Sequence, residues 1–406
     1  MSTDRTLVVG AGLGGLATAL SIASRGRRVT VLERRQAVVE PHAGTQLAPN
    51  AFHALDSIGV GKDVRERALL PEALCLRDAA TGDPLARMPL TGTYRDRFGA
   101  PYAVVDRAGL HAVLMALCRA SESIELVTGC AVAWYEQDAR TVTVVSEAGQ
   151  RFTGTALVAA DGIRSTVRRR LVGDGAPKTS GDMVYHAVVP LTDAATALLP
   201  GEPGLDGPTA WLAPGRHFVH FVHRTADGRP VLNLGVTHEQ GVSEPVVGLP
   251  PDTSHVLGLF PDLADSARRL LRLGTGWRTW ALCDRDPVER WTDHRVALLG
   301  TAAHPILPYA VQGVSQTLED AAVVGRLLDC EASEVPSRLS RYAAARRARA
   351  HRAQQVSREL GRRLFHPSGG PARTRDAMLT SLTTEELHDK VAWLHGFRDF
   401  AEGDES

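Results

Sequence analysis

The chain has 406 residues, 44 % of them hydrophobic and 23 % charged, which supplies apolar side chain for a large composite core and excludes a disulfide-stapled miniature fold or a mainly disordered chain. Forty-six Lys and Arg balance 46 Asp and Glu, so no long-range field draws the protein onto phosphate backbones or anionic lipid, and neither nucleic acid nor membrane is an expected partner. Five scattered cysteines, Cys75, Cys118, Cys130, Cys283 and Cys330, show no metal-ligand spacing, the usage of a reduced, cytoplasmic protein without a structural metal.

In chain order, TLVVGAG from Thr6 is a short Val-rich run ending in glycine, the pattern of a buried parallel strand. Leu13 to Arg25 reads as a helix, and Arg27 to Arg35 alternates as a second strand that turns acidic at Glu33. Residues 6 to 24 carry no charge, as a signal peptide or membrane span would. Glycines at 10, 12, 14 and 15 argue against both, because they weaken an apolar helix and fall at turn spacing. Gly10, Gly12 and Gly15 match GxGxxG with Glu33 about 20 residues on, the dinucleotide-binding spacing. Gly10 permits a tight turn, Gly12 lets backbone approach a pyrophosphate, and Gly15 lets the helix sit close to the sheet. Helix N-terminal amides then face the anion, and Glu33 can accept from both ribose hydroxyls.

Ile124 to Gly162 holds short alternating strands with turn signals at Asp138-Ala139 and Ala148-Gly149, an antiparallel meander returning to the main sheet. Asp174 to Pro287 is richer in Pro and Gly, with strand-like MVYHAVVP, HFVHFVHR and PVLNLGVTH, and reads as a second, mostly β region that holds the substrate. From Val335 the pattern turns helical, with Arg341, Arg346, Arg347, Arg349 and Arg352 on an Ala-rich stretch expected to be a solvated face.

Three motifs in order, GAGLGG with Glu33, VAADGIRS around Asp161, and GTAAHPILPYAVQG from Gly300 to Gly313, resemble those of the single-component FAD-dependent aromatic hydroxylases with the p-hydroxybenzoate hydroxylase fold. The salicylate and 3-hydroxybenzoate hydroxylase branch is nearest. Smaller matches, GTQLAPNA from Gly44, VDRAGLHAVL around Arg107 and CDRDPVERW from Cys283, extend the resemblance over nearly the whole chain. It implies an α/β fold in which a discontinuous Rossmann-like FAD-binding domain (1–72, 102–173 and 276–345) is interleaved with a β-sheet substrate domain (73–101 and 174–275), followed by a C-terminal helical region (346–406). A monomer or homodimer is expected.

By that resemblance Gly10, Gly12, Gly15 and Glu33 hold the ADP half of FAD, with Ala11, Leu13, Gly14, Arg34, Gln46 and Val132 alongside. Arg107 is placed near the pyrophosphate or ribityl chain, the competing reading being an ion pair with Asp106. Asp161 and Gly162 are implied to bridge the FAD site and a passing nicotinamide cofactor, against the plainer reading of a helix-capping turn. Gln312, Gly313 and Val314 precede a helix whose positive end would stabilise charge on reduced flavin. Thr301 departs from the family's usual Asp, and a neutral, shorter acceptor makes a weaker contact to a ribityl hydroxyl. Ala310-Val311 also departs from the family's usual residues in that loop.

The implied activity is hydroxylation of a phenolic or aromatic acid with NADH or NADPH and O2, through a flavin C4a-hydroperoxide in a pocket that excludes water. A histidine that takes the phenol proton would raise the rate. His220 is the preferred acid/base residue and His186 the second, each against the plainer reading of a structural histidine. Period-2 alternation puts His217 and His223 on one strand face and His220 on the other. Pro308 and Tyr309 are expected at the catalytic centre, with Trp211 lining the pocket or packing the core. The alternatives are the same fold performing epoxidation, Baeyer-Villiger insertion or N-hydroxylation on a larger metabolite, and a catalytically silent flavin-binding homologue.

Overall fold

In the computed structural model, which describes residues 4–37, 43–192, 205–242 and 244–400, Thr6–Val9 is buried along its whole length. It lies mid-sheet, paired in parallel with Val29–Leu32 on one side and Ala156–Ala159 on the other, so its run of apolar residues faces helices above and below. The sheet has six strands, in the order Thr292–Asp293, Val296–Leu298, Ala156–Ala159, Thr6–Val9, Val29–Leu32 and Ile124–Val127. All neighbours are parallel except the edge pair Thr292–Asp293 and Val296–Leu298. The meander Val132–Gln137, Val142–Ser146 and Arg151–Gly154 forms its own antiparallel sheet before the chain returns to Ala156–Ala159.

The helix Leu13–Ala23 packs against the helices Gly313–Leu327 and Arg107–Ala120. Small residues make this close approach possible. A Cβ on Gly14 would lie 2.6 Å from Thr317, and one on Gly325 2.1 Å from Ser21.

A second sheet has eight strands, in the order Val247–Leu249, Arg278–Asp284, Lys178–Pro190, Pro230–Glu239, Arg216–Arg224, Thr209–Ala213, Ala73–Asp78 and Pro84–Pro89. One face carries Met183, Tyr185, Trp211, Phe218, Leu232, Leu234 and Val236, buried with Val256, Leu270 and Leu271 of two short helices. The other face meets the cofactor-side loops at Gly44 and Tyr309.

Two expected boundaries differ from this architecture. The strand Arg278–Asp284 pairs inside the eight-stranded sheet, although residues 276–345 were expected with the first sheet. Its apolar alternation continues the β surface, and the chain crosses over only in the polar turn that follows. The helix Val335–Leu360 runs unbroken through 345/346, because no glycine or proline falls in that part of it. Among the described residues no helix is long and apolar enough to cross a membrane.

Candidate active site

The glycine turn is held from beneath. Gly10 has φ +99°, and a Cβ there would meet Ala160 O at 2.5 Å, so only glycine fits without strain. A Cβ on Gly15 would sit 1.8 Å from Gly10 O, the close approach of helix to strand. Gly12, in contrast, has no atom within 4 Å of that position, leaving backbone open to a ligand. Gly14, expected beside the cofactor, instead faces Thr317 and Leu299 between helices. Ala11 and Leu13 are buried in the core cluster, so neither side chain faces a ligand.

Glu33 accepts the Ala11 amide on Oε2 (2.8 Å) and the Arg35 amide on Oε1 (2.9 Å). Each oxygen keeps a lone pair for a diol. Arg34 is exposed beside it, and Val132 is half-buried at the start of its strand. His111 Nε2 lies 2.7 Å from Ala11 O and supports the turn from the helix Arg107–Ala120. Only a long-range contact reveals that role.

Asp106 caps that helix by accepting the Gly109 amide at 3.1 Å, while the Arg107 amide donates to Ala43 O at 2.8 Å. Gln46 accepts from the Tyr102 hydroxyl at 2.7 Å. Asp161 caps the helix Thr166–Leu171 by accepting the Thr166 amide at 2.9 Å. Its Oδ1 is buried without a hydrogen-bond partner among the described residues, and burial pushes its carboxyl up. Gly162, at φ +79°, faces open space.

The loop from Gly300 to Gly313 is anchored by buried charge. Asp320 Oδ2 accepts the Gly300 amide at 3.0 Å and lies 2.5 Å from His304 Nε2. Arg346 reaches Asp320 Oδ1 at 2.8 Å and Glu319 Oε2 at 2.5 Å, and Arg349 Nε lies 2.7 Å from Glu319 Oε2. Arg346 is 0 % exposed, which corrects the expectation of a solvated arginine face. Its partners come from another helix, so no local spacing announces them. Arg168 closes the loop from the far side, donating to Ala302 O and Ala303 O while paired with Asp174.

Thr301 is exposed at the tip of the turn Gly300–Ala302. Val311 has φ +52°, a strained position for a β-branched residue. Gln312 Oε1 accepts from Asn50 Nδ2 at 3.0 Å, whereas Gln312 Nε2 is buried with no hydrogen-bond partner among the described residues. The helix then begins at Gly313, and its first amides, including that of Val314, precede any intrahelical acceptor. Nothing lies nearer than Ile306 O, at 4.0 Å, to a Cβ built on Gly313.

On the substrate sheet the preferred histidine is on the wrong face. His220 is fully buried between Trp211 and Phe218, with ring centroids 6.1 and 5.7 Å away. Burial, helped by Arg77, pushes its pKa down to about 3. Neither ring nitrogen has a hydrogen-bond partner among the described residues. It therefore packs the core away from the cofactor loops, and Trp211, 0 % exposed, does the same. Sequence alternation separated His217 from His220 but could not say which face looks inward.

His186 is on the cofactor-facing side. Its Nε2 lies 2.6 Å from Asn233 Oδ1, which also accepts the Gly44 amide at 3.0 Å. An oxygen fixed by that amide makes His186 Nε2 the donor and leaves Nδ1 as acceptor. Burial lowers the His186 pKa, with Asn233 opposing. Gly235 pairs with His186 on one side and Val219 on the other, and all three are half-buried. Only Val219 O, at 3.9 Å, lies near where a Gly235 side chain would begin. This row forms an open floor, bordered by Phe221 and Asn233 under Gly44 and by His217 beside Tyr309.

Pro308 is exposed and begins the turn Pro308–Ala310. Tyr309 is buried, donates to Asp182 Oδ2 at 2.7 Å and lies 5.9 Å, centroid to centroid, from His217. Burial, reinforced by Asp182, raises its pKa. His217 Nδ1 is 3.1 Å from His366 Nε2. Among the described residues no His, Cys, Asp or Glu cluster suits a metal ion.

The open space before Gly12, Gly162 and Gly313 and the orphaned Asp161 Oδ1 and Gln312 Nε2 fit a large polar cofactor laid across all three motifs. Facing a half-buried sheet floor, this arrangement defines a flavin-dependent oxidoreductase. The FAD binding domain family matches residues 3–200. 3-Hydroxybenzoate 6-hydroxylase 1 of Aquipseudomonas alcaligenes is 38 % identical over 97 % of this chain and 98 % of that protein. The 3-hydroxybenzoate 6-hydroxylase of Klebsiella oxytoca is 35 % identical over 97 % of each. A salicylate hydroxylase substrate complex shares the fold with a TM-score of 0.82 at 25 % identity, over 98 % of this chain and 96 % of that one. The chain belongs to the FAD-dependent aromatic hydroxylases with the p-hydroxybenzoate hydroxylase fold, and it is a monooxygenase that uses NAD(P)H and O2.

Proposed function

We propose that this protein hydroxylates a hydroxybenzoate-class ring bound on the floor formed by His186, Gly235 and Val219, with His217 accepting the phenol proton. The observation that carries this reading is the face of the strand Arg216–Arg224 turned to the cofactor loop: His217 is on it, beside Tyr309, and His220 is not. The relatives named for 3-hydroxybenzoate supply the substrate class. Bound FAD supplies the redox chemistry, taking electrons from NAD(P)H and activating O2 for transfer to the ring.

The chain's own residues bind and orient. Gly10 and Gly12 would admit the pyrophosphate and Glu33 would hold the adenosine ribose, with Arg107 and Asp161 placed to hold the connecting chain. The amides at Gln312, Gly313 and Val314 would hold a bound flavin at the helix start, where a helix N-terminus stabilises negative charge. His186, fixed by Asn233 with Nδ1 as acceptor, lines the floor beneath the ring. His217 is neutral, because burial and then His366 hold its pKa well below the ordinary value, and a neutral imidazole can accept a proton. The cofactor-binding part comprises 1–72, 102–173 and 285–360, and the substrate part 73–101 and 174–284.

The test is the visible spectrum of purified protein titrated with FAD, then NADH and NADPH oxidation with 3-hydroxybenzoate or benzoate and identification of the product. Bound flavin and oxidation stimulated by 3-hydroxybenzoate, yielding a dihydroxybenzoate, are expected. Absence of hydroxylated product across hydroxybenzoate isomers sinks the substrate assignment.

A further inference from the structure

We propose that His366 and Asp182 form the outward half of a proton-transfer chain that carries the phenol proton from His217 to a solvent-facing cleft. This rests on the reading of His217 as the proton acceptor. His217 is 6 % exposed, and a buried imidazolium is costly, so a proton taken there needs an exit. The neighbouring Tyr309 does not provide it, since its hydroxyl is already committed to Asp182 Oδ2 at 2.7 Å.

His366 does provide one. Its Nε2 is 3.1 Å from His217 Nδ1, and its Nδ1 lies 3.6 Å from Asp182 Oδ1. His366, Asp182 and Tyr309 all line a cleft of about 430 Å³ with Lys178, Glu239 and Arg362. The balance is one proton in and one out. The phenol O–H breaks as an N–H forms on His217 Nε2; His217 passes its Nδ1 proton to His366 Nε2; His366 releases its own Nδ1 proton to Asp182 or to cleft water. Both imidazoles end neutral in the other tautomer and reset through the same path.

The backbone is shaped for this contact. The long helix ends in a π-turn, Gly361–Phe365, in which the His366 amide donates to Gly361 O at 2.9 Å. A Cβ on Gly361 would sit 2.8 Å from the Tyr309 ring. The extra residue in the turn moves His366 about 100° around the axis relative to a regular α-helix, and so delivers the imidazole to His217.

The titratable and charged groups around His366 are Asp182 from the strand Lys178–Pro190, His238 and Glu239 from Pro230–Glu239, His217 from Arg216–Arg224, Tyr309 from the cofactor loop, and Arg362 of its own turn. Burial lowers its pKa, Asp182 and Glu239 oppose, and His238 reinforces. At neutral pH it is therefore a neutral relay.

The experiment compares FAD-loaded wild type, His217→Gln and His366→Ala for hydroxylation of 3-hydroxybenzoate across pH, with and without added imidazole. His366→Ala is expected to lose about tenfold or more in kcat with little change in KM, most of it restored by imidazole entering from the cleft. If His217→Gln hydroxylates as wild type does, the proton-acceptor reading fails and this proposal with it. If His217→Gln is impaired but His366→Ala is not, or imidazole restores nothing, the relay alone is overturned. Should His366→Ala fail to fold, His366→Gln keeps the size and one hydrogen bond but cannot relay, and wild-type kcat in that variant overturns the proposal.

Discussion

Thr301 is solvent-exposed at its turn, so nothing in the packing forbids the carboxylate that the family usually carries there. A charged acceptor makes a stronger hydrogen bond than a hydroxyl by about 1 kcal/mol. Thr301→Asp should therefore tighten FAD binding roughly fivefold, read by titrating flavin fluorescence, and an unchanged Kd would place the ribityl contact elsewhere. At this scale the sequence was legible where chemistry is local. The φ +99° at Gly10 and the cap by Asp161 follow from residues nearby in the chain. Histidine assignment was not, because alternation along HFVHFVHR sorts side chains into two faces without saying which meets the cofactor loop. Only the burial of His220 against Trp211 decides it.

The helices Gly313–Leu327 and Val335–Leu360 are joined by charge rather than by apolar surface alone. Burial by itself would raise the carboxyls of Glu319 and Asp320, but Arg346, Arg349 and His304 outweigh it and hold both below their ordinary values. A depressed carboxylate contributes stability above its unfolded pKa, about 4, and loses it as pH falls through the lower folded value. Removing one partner of such a network costs about 3–5 kcal/mol, so Arg346→Met should be destabilised by that order in urea unfolding at neutral pH. The deficit should shrink on acidification toward about pH 4, as protonation removes the uncompensated charge. A deficit that does not change with pH would mean that lost packing, not charge, is responsible. Both helices were visible as elements in the sequence. That Arg346 turns inward was not, since its partners Glu319 and Asp320 lie on a separate helix.

Across the whole molecule, the proposed FAD site draws on residues from Gly10 to Val314, contributed by three stretches of chain that meet only after folding. A ligand bound to the folded state alone stabilises it by about 2.7 kcal/mol at a hundredfold excess over Kd. Stripping FAD should therefore lower the thermal midpoint, and adding it back should raise the midpoint in proportion to the logarithm of its concentration. Differential scanning fluorimetry at several FAD concentrations checks this, and a midpoint indifferent to FAD would contradict a site assembled from all three stretches.

By itself the sequence determined the α/β class, the glycine turn with Glu33 and the family, because each depends on short-range spacing or on several motifs in order along the chain. Tertiary structure alone decided that Arg278–Asp284 joins the substrate sheet, that Arg346 is a buried anchor, and that His217 rather than His220 looks toward Tyr309. Those outcomes depend on which faces of two sheets pack together. Periodicity gives a strand two faces, and only its neighbours in space distinguish them.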